Sequence, residues 1–299
     1  MHAIKDLECR MGIRYKVIWS AVVASMLLSC TGSTSPRSSL TERDDEELED
    51  SCEILSDEED DAEELTLEEE NNPRIDGVFN DFLFAYLHSR SLRRERTAKP
   101  LRMEQTNHPT ELLDQFDPEF EFSFLSGEYF TTLYGNAAQM QAEDEEELEE
   151  DSTVSLQRIN LNDGTIRNFL FLRSEGRWQL DAVREATFDD EEDLSDFLAF
   201  YARFCKDSLF QMQSIANPLR IVLQNPEDEE DCIDGTIDAD QWQTFCPEVP
   251  SGIISNIRKG QHYGHHRIVL RKSGLANGLQ EVFTFTKDRA GWHLTRYEN

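Results

Sequence analysis

Phe169–Leu180 reads FLFLRSEGRWQL and Phe283–Leu294 reads FTFTKDRAGWHL. Phe169, Phe171, Trp178 and Leu180 align without a gap to Phe283, Phe285, Trp292 and Leu294, so one unit is written twice, about 115 residues apart. On either side of Ser174–Gly176 the apolar residues fall at alternate positions, which predicts two strands joined by a tight turn. Further strands are expected just upstream, at Val154–Leu161 and Arg267–Arg271, each followed by a glycine turn at Asp163–Gly164 or Ser273–Gly274. Each unit opens with a matched segment, NDFLFAY (Asn80–Tyr86) and SDFLAFY (Ser195–Tyr201). Here the period changes. Ile75, Val78, Phe79, Phe82, Leu83 and Tyr86, and likewise Leu194, Phe197, Leu198, Tyr201 and Cys205, follow the i, i+3, i+4, i+7 stripe of a helix that lays one face on a sheet. Matched breakers follow, TAKPLR at Thr97–Arg102 and IANPLR at Ile215–Arg220.

An α+β chain with this order, one helix and then a curved antiparallel meander ending in an aromatic hairpin, resembles the NTF2-like (cystatin-like cone) fold. The resemblance covers about Pro73–Glu185 and Glu192–Asn299. It implies two tandem units, each an N-terminal helix packed on a curved antiparallel sheet, with domains at 73–187 and 192–299. Taken with the N-terminal pattern described next, DADQWQTFCPEVP (Asp238–Pro250) and ISNIRKGQ (Ile254–Gln261) look like an uncharacterised lipoprotein family of Bacteroides-type gut bacteria, one with no assigned activity. The first unit departs from that pattern with GEYFTTLYGN (Gly127–Asn136) and an acidic insert at Glu143–Asp151, which places any shared site in the second unit.

The N-terminus carries an address. Arg14 and Lys16 precede an apolar run from Val17 to Leu28, and the run closes on Leu27-Leu28-Ser29-Cys30. About a dozen apolar residues fall short of the roughly twenty that span a bilayer, so residues 1–29 read as a secretory signal. The closing tetrapeptide is a lipobox and resembles bacterial lipoprotein signals, in which the cysteine becomes the lipidated first residue. The alternatives are an ordinary signal cut near Ser29 or an uncut anchor. Asp6, Glu8 and Cys9 are unusual in the leading region, and a start at Met11 would give a signal of normal length. The expected location is the cell envelope, held by the lipid at the outer membrane, with the periplasmic or surface side undecided.

Charge narrows the partners. A formal net charge of −32 repels phosphate backbones and anionic headgroups, which excludes nucleic acid as a partner. Glu42–Glu70 alone holds 18 of the 61 carboxylates, so residues 30–72 are expected to be a disordered acidic stalk of roughly 30–40 Å. Among the cysteines, Cys232 and Cys246 stand fourteen apart in a loop-like region and are the best disulfide pair. Closing that loop would contribute about 3 kcal/mol. Cys205 reads as a buried small hydrophobe, and a Cys52–Cys205 bridge has no support in the pattern.

Chemistry is sparser. No nucleophile elbow, P-loop, dinucleotide fingerprint or zinc-protease motif occurs, and neither a cofactor nor a metal is expected. His262, His265 and His266 form a cluster at a predicted strand start, with His262 and His266 on one face, and a solvated strand end accounts for them. Asp234, Asp238 and Asp240 lack the glycine and closing glutamate of a calcium loop. Asp189–Asp193 and Glu227–Asp231 read as exposed linker. Arg90, Arg93, Arg94, Arg96, Lys99 and Arg102 form a basic patch that complements the first helix's C-terminus and the chain's own acid. Tyr86, Trp178, Tyr201 and Trp292 are candidate pocket walls, with plain core as the competing role. The expectation is a non-enzymatic module that binds a small ligand or an envelope protein. A small-molecule enzyme in the second cone and a calcium-bridged envelope protein are the alternatives.

Overall fold

A computed structural model describes residues 75–125, 129–144, 152–225, 231–245, 247–260, 262–274 and 279–299. The signal, Cys30, the stalk with Cys52, most of the acidic insert and Cys246 lie outside the described residues.

Each half begins as its apolar stripe dictates. Helix α1 (Phe79–His88) buries Phe79, Phe82, Leu83, Ala85 and Tyr86. It stops at Ser89, whose side chain accepts from Leu92 N and so starts the short α2 (Arg90–Glu95). Strand β1 (Thr97–Gln105) and the short β2 (Glu111–Leu113) follow, then helix α3 (Pro118–Glu121), β3 (Tyr129–Tyr134), helix α4 (Ala137–Asp144) and the meander β4 (Thr153–Asn160), β5 (Thr165–Ser174) and β6 (Arg177–Thr187). The second half repeats this order, without a counterpart of α4 among the described residues. Helix α5 (Ser195–Lys206) ends at Asp207, which caps α6 (Ser208–Gln213) by accepting from Leu209 N and Phe210 N. Then come β7 (Ile215–Gln224), β8 (Cys232–Ile237), α7 (Trp242–Phe245), β9 (Ile253–Arg258), β10 (Arg267–Gly274), β11 (Gln280–Lys287) and β12 (Trp292–Glu298). Both breakers carry a cis X-Pro bond, Lys99–Pro100 and Asn217–Pro218.

The hairpins lie where the alternation puts them. Phe171 pairs with Leu180, and Phe285 pairs with Leu294. The first turn takes left-handed backbone at Glu175 (φ 53°) and Gly176 (φ 80°), as a two-residue connection between twisted strands requires. The sheets are antiparallel except where β1 runs parallel to β6 and β7 parallel to β12.

One feature of the topology has no counterpart in the sequence pattern. The two six-stranded sheets have the orders β2-β1-β6-β5-β4-β9 and β3-β10-β11-β12-β7-β8. Strand β3 leaves the first half to pair with β10, from Tyr129 opposite Gly274 to Tyr134 opposite Val269. Strand β9 leaves the second half to pair with β4, from Ile253 opposite Asn160 to Arg258 opposite Ser155. Each sheet is therefore completed by a strand from the other half of the chain.

The cores follow this weave. One cluster joins Phe79, Phe82, Tyr86, Phe122, Phe169, Phe171 and Trp178 with Ile257 of β9. The other joins Phe197, Tyr201, Phe204, Phe283, Phe285 and Trp292 with Leu133 of β3 and with Ile159 and Ile166 of the first sheet. A buried Leu or Ile such as Leu133 or Ile257 contributes about 1.5–3 kcal/mol by leaving water, so the exchanged strands carry core energy as well as ladder hydrogen bonds.

Candidate functional site

The four aromatics singled out as pocket walls are all interior: Tyr86 and Tyr201 are 0% exposed, Trp178 2% and Trp292 6%. In the first cone Phe79 meets Trp178 edge-on at 5.1 Å and Tyr86 meets Phe171 at 5.6 Å. In the second cone Phe197, the counterpart of Phe82, meets Trp292 edge-on at 5.2 Å, and Tyr201 meets Phe285 at 5.6 Å as Tyr86 meets Phe171. Rings at these separations are in contact, so the space between helix and sheet is occupied by side chains.

Polar chemistry gathers at the mouth of the second cone. Lys272 on β10 faces Glu281 on β11 in register, and only 3% of its side chain is exposed. Its Nζ donates to Glu281 Oε2 at 2.8 Å and lies 4.7 Å from the centre of the Tyr129 ring. Tyr297 on β12 donates to Glu281 Oε1 at 2.5 Å, and Trp242 stands edge-on to Tyr297 at 6.1 Å. Burial, with the Glu281 carboxylate beside it, pushes the Tyr297 hydroxyl far above the usual phenol range.

A covering segment closes this mouth. Lys272 Nζ donates to the Glu248 carbonyl at 3.1 Å, Tyr201 Oη to the Pro250 carbonyl at 2.8 Å and Cys205 Sγ to the same carbonyl at 3.4 Å. The Tyr129 hydroxyl meets the Ser251 backbone. Burial drives the Cys205 thiol up to about 12.

A second polar assembly lies where the halves cross. Thr131 and Ser255 exchange hydrogen bonds through both backbone and side chain at 2.6–3.0 Å. Asn256 Oδ1 accepts from Leu133 N, and its Nδ2 donates to Gln157 Oε1 and the Tyr263 hydroxyl. Gln157 in turn donates to Asn168 and Glu191. Glu191 and Asp193, read from the sequence as exposed linker, are instead held by Arg258 at 2.5 and 3.0 Å. Burial raises the Glu191 carboxyl despite that guanidinium. Burial of the partly exposed Glu143 would raise its carboxyl, but Lys259 at 2.9 Å and Arg271 at 3.7 Å outweigh that and hold it below the ordinary range.

The remaining sequence candidates do not converge. His262, His265 and His266 are exposed in a loop that ends before β10 begins at Arg267, so the alternation that set His262 and His266 on one face does not apply. Asp234 pairs with Arg220 at 3.0 Å, while Asp238 and Asp240 line an open groove of about 480 Å³ with Met212, Gln213 and Asn217. Among the described residues no group of three or more His, Cys, Asp or Glu is placed to hold a metal ion. In the basic patch Arg93 donates to the Tyr86 and Leu87 carbonyls at the end of α1, Arg96 grips buried Asp76 through two 3.0 Å bonds, and Arg102 pairs with Asp181. Cys232 is disulfide-bonded.

The groups that sequence reasoning missed are Lys272, Glu281, Glu143, Gln157 and Asn256. A signal existed for two of them. Lys272 lies two residues beyond Leu270 and Glu281 two before Phe283, so both occupy inward positions of apolar alternating runs, where a charge needs a buried partner. The crossing network had no such signal, because its members meet through the exchanged strands.

A family model described as "Domain of unknown function (DUF4348)" matches residues 58–299. A crystal structure of an NTF2-like protein from Bacteroides fragilis is similar to this chain at 26% identity with a TM-score of 0.66, covering 75% of this chain and 96% of that one. No curated protein matches. The α+β architecture with two cone units is thus NTF2-like, as the repeated helix and hairpin imply.

Proposed function

The chain belongs to the DUF4348 family of domains of unknown function, and from that premise we propose that it is a non-enzymatic binding or assembly module, lipid-anchored through Cys30 in the cell envelope. The observation that carries the binding role is the filled interior of both cones. Tyr86, Trp178, Tyr201 and Trp292 pack as core, and the buried Lys272–Glu281–Tyr297 group is covered by the chain itself. A catalytic pocket needs a group that substrate can reach and whose pKa is set for proton transfer. Here the inward donors are already spent on main-chain carbonyls. Lipid anchoring rests on the lipobox, and the Cys232–Cys246 pairing on spacing, with Cys232 disulfide-bonded.

The test takes the mature chain through a thermal-shift screen of envelope metabolites, glycans and peptides, paired with crosslinking in intact cells. A saturable shift or a defined partner, without turnover of the bound compound, is the expected result. Turnover of any ligand, or no shift and no partner, counts against the proposal. Anchoring is read separately: Cys30→Ala should move the protein from the detergent phase to the aqueous phase.

A further inference from the structure

The segment over the second cone, Pro247-Glu248-Val249-Pro250-Ser251, is held as a bound peptide is held. Its two carbonyls at Glu248 and Pro250 accept from three side chains on two different elements: Lys272 on β10 at 3.1 Å, and Tyr201 and Cys205 on α5 at 2.8 and 3.4 Å. Val249 packs against the second core, and Pro250 is buried. Tyr129 meets the Ser251 backbone, and the core against which Val249 packs includes the buried Trp242 and Tyr297 rings. Main-chain carbonyls taken by fixed donors, an apolar side chain in a pocket and prolines at the first and fourth positions are the elements by which aromatic-lined grooves take Pro-x-x-Pro segments. The prolines matter thermodynamically, since each fixes its own φ near −65° and lowers the entropy lost when the segment is laid down.

We propose that the mouth of the second cone is a peptide-binding groove, occupied in cis by Pro247–Ser251, and that an extended Pro-x-x-Pro segment of a partner protein binds there when this strap lifts. The partner supplies carbonyls to Lys272, Tyr201 and Cys205 and a small branched side chain to the Val249 position. A second copy of the chain is the less suited source, because its own strap is engaged in its own cone. The strap is also the connection into β9, which is anchored in the first sheet, and Gly252 O accepts from Leu161 N at 2.8 Å. Lifting is therefore local, bounded by β9 on one side. This deepens the binding role proposed above by naming its site and ligand class.

Cys205 lies under the strap and is a free cysteine, so its modification by N-ethylmaleimide, mapped by mass spectrometry on the mature chain, reports lifting without any natural ligand. Tyr201→Phe removes one donor to Pro250 and leaves the packing in place; Cys205 should label about five-fold faster. Val249→Ser with Pro250→Gly should accelerate labelling more than twenty-fold. The acetylated, amidated pentapeptide PEVPS at millimolar concentration should slow labelling of either variant by at least half. Unchanged rates in Tyr201→Phe, or acceleration that the peptide does not slow, would overturn the proposal. If the double substitution does not fold, Tyr201→Phe with and without peptide decides alone. Failure here removes the groove and leaves the binding role to the ligand screen, whereas a protected Cys205 with an empty screen would count against the partner.

Discussion

The two cones share an interior and differ at the mouth. Phe82, Tyr86, Phe171 and Trp178 in the first have the same neighbours as Phe197, Tyr201, Phe285 and Trp292 in the second. The register equates Leu156 with Leu270, each facing the first Phe of its hairpin, so Arg158, Arg167 and Val183 stand where the second cone has Lys272, Glu281 and Tyr297. Arg167 turns to Glu121 on α3 at 3.2 Å, and the Tyr86 hydroxyl shares a hydrogen bond within its own half with Thr97, whereas Tyr201 donates to the strap. Aromatic packing is costly to alter, because every ring touches several others. The rim tolerates divergence: among the described residues, a buried Lys–Glu–Tyr group in the second cone stands where the first has two arginines and a valine.

The strongest challenge to treating the cones as two units is to separate them. Residues 73–187 alone would lack β9, leaving Ile257 out of the first core and the edge of β4 bare; residues 192–299 would lack β3 and Leu133. Neither half is expected to give a cooperative urea transition, while the two co-expressed should associate and recover one. A half that unfolds cooperatively alone would show that the exchanged strands are ornament and that the cones are independent.

The charged positions offer a sharper contrast. Glu281→Gln leaves Lys272 buried, with the exposed Glu248 carboxylate 3.7 Å away as its remaining acidic neighbour. That should cost about 3 kcal/mol, as expected for breaking a buried pair. Arg167→Gln in the first cone removes an ion pair that is only partly buried, with the two side chains 25% and 16% exposed, and should cost about 1 kcal/mol. Equal losses in denaturant midpoints would mean that the second mouth is no more committed to its charges than the first.

How far these differences could be read beforehand depends on their range along the chain. The helices at Phe79–His88 and Ser195–Lys206 and both hairpins were legible, since their periodicity is written within a dozen residues and each pattern appears twice. The exchange was not, because β3 and β9 carry the same apolar content whichever sheet they join, and pairing partners more than ninety residues away leave no local trace. The site was half legible. The tyrosines and tryptophans were found but belong to the core, while Lys272 and Glu281 were passed over within apolar strands. Acid misled most, since Glu143 and Glu191 look like members of solvated runs and are instead partly buried and paired with cations at the crossing.

Those two carboxylates give opposite pH signatures. The Glu143 carboxyl is lowered by Lys259 and Arg271 against burial, so its contribution is present above the ordinary carboxylate range and lost as pH falls through its folded value. Glu143→Gln should therefore be about 1–2 kcal/mol less stable than the parent at pH 7, with the gap closing below about pH 4. The Glu191 carboxyl is raised by burial, so its charged form costs stability as pH rises through the unfolded value, and the cost is complete above the folded one. Glu191→Gln should gain on the parent toward pH 7 and match it in acid. Urea midpoints at a series of pH values would expose the pair, and gaps of the same sign would break the distinction.

The finest test compares the equivalent tryptophans. Trp292 Nε1 donates to Asp196 Oδ2 at 2.7 Å, and Asp196 is held below the usual carboxylate range chiefly by its hydrogen bond from Lys287. Trp178 Nε1 is buried without a hydrogen-bond partner; that residue is tied down by its backbone, whose N–H donates to Asp76 at 2.9 Å. Replacing either by Phe removes similar ring volume from similar neighbours, so the packing losses cancel in the difference. What is left is one hydrogen bond to a charged acceptor on one side and the relief of an unsatisfied donor on the other. Trp292→Phe should thus cost about 1–2 kcal/mol more than Trp178→Phe in matched urea titrations. Lowering the pH below the Asp196 titration should shrink that excess, because the acceptor loses its charge, while the Trp178→Phe value stays where it was. An excess that persists in acid would assign the difference to packing, and the cones would then differ inside as well as at their mouths.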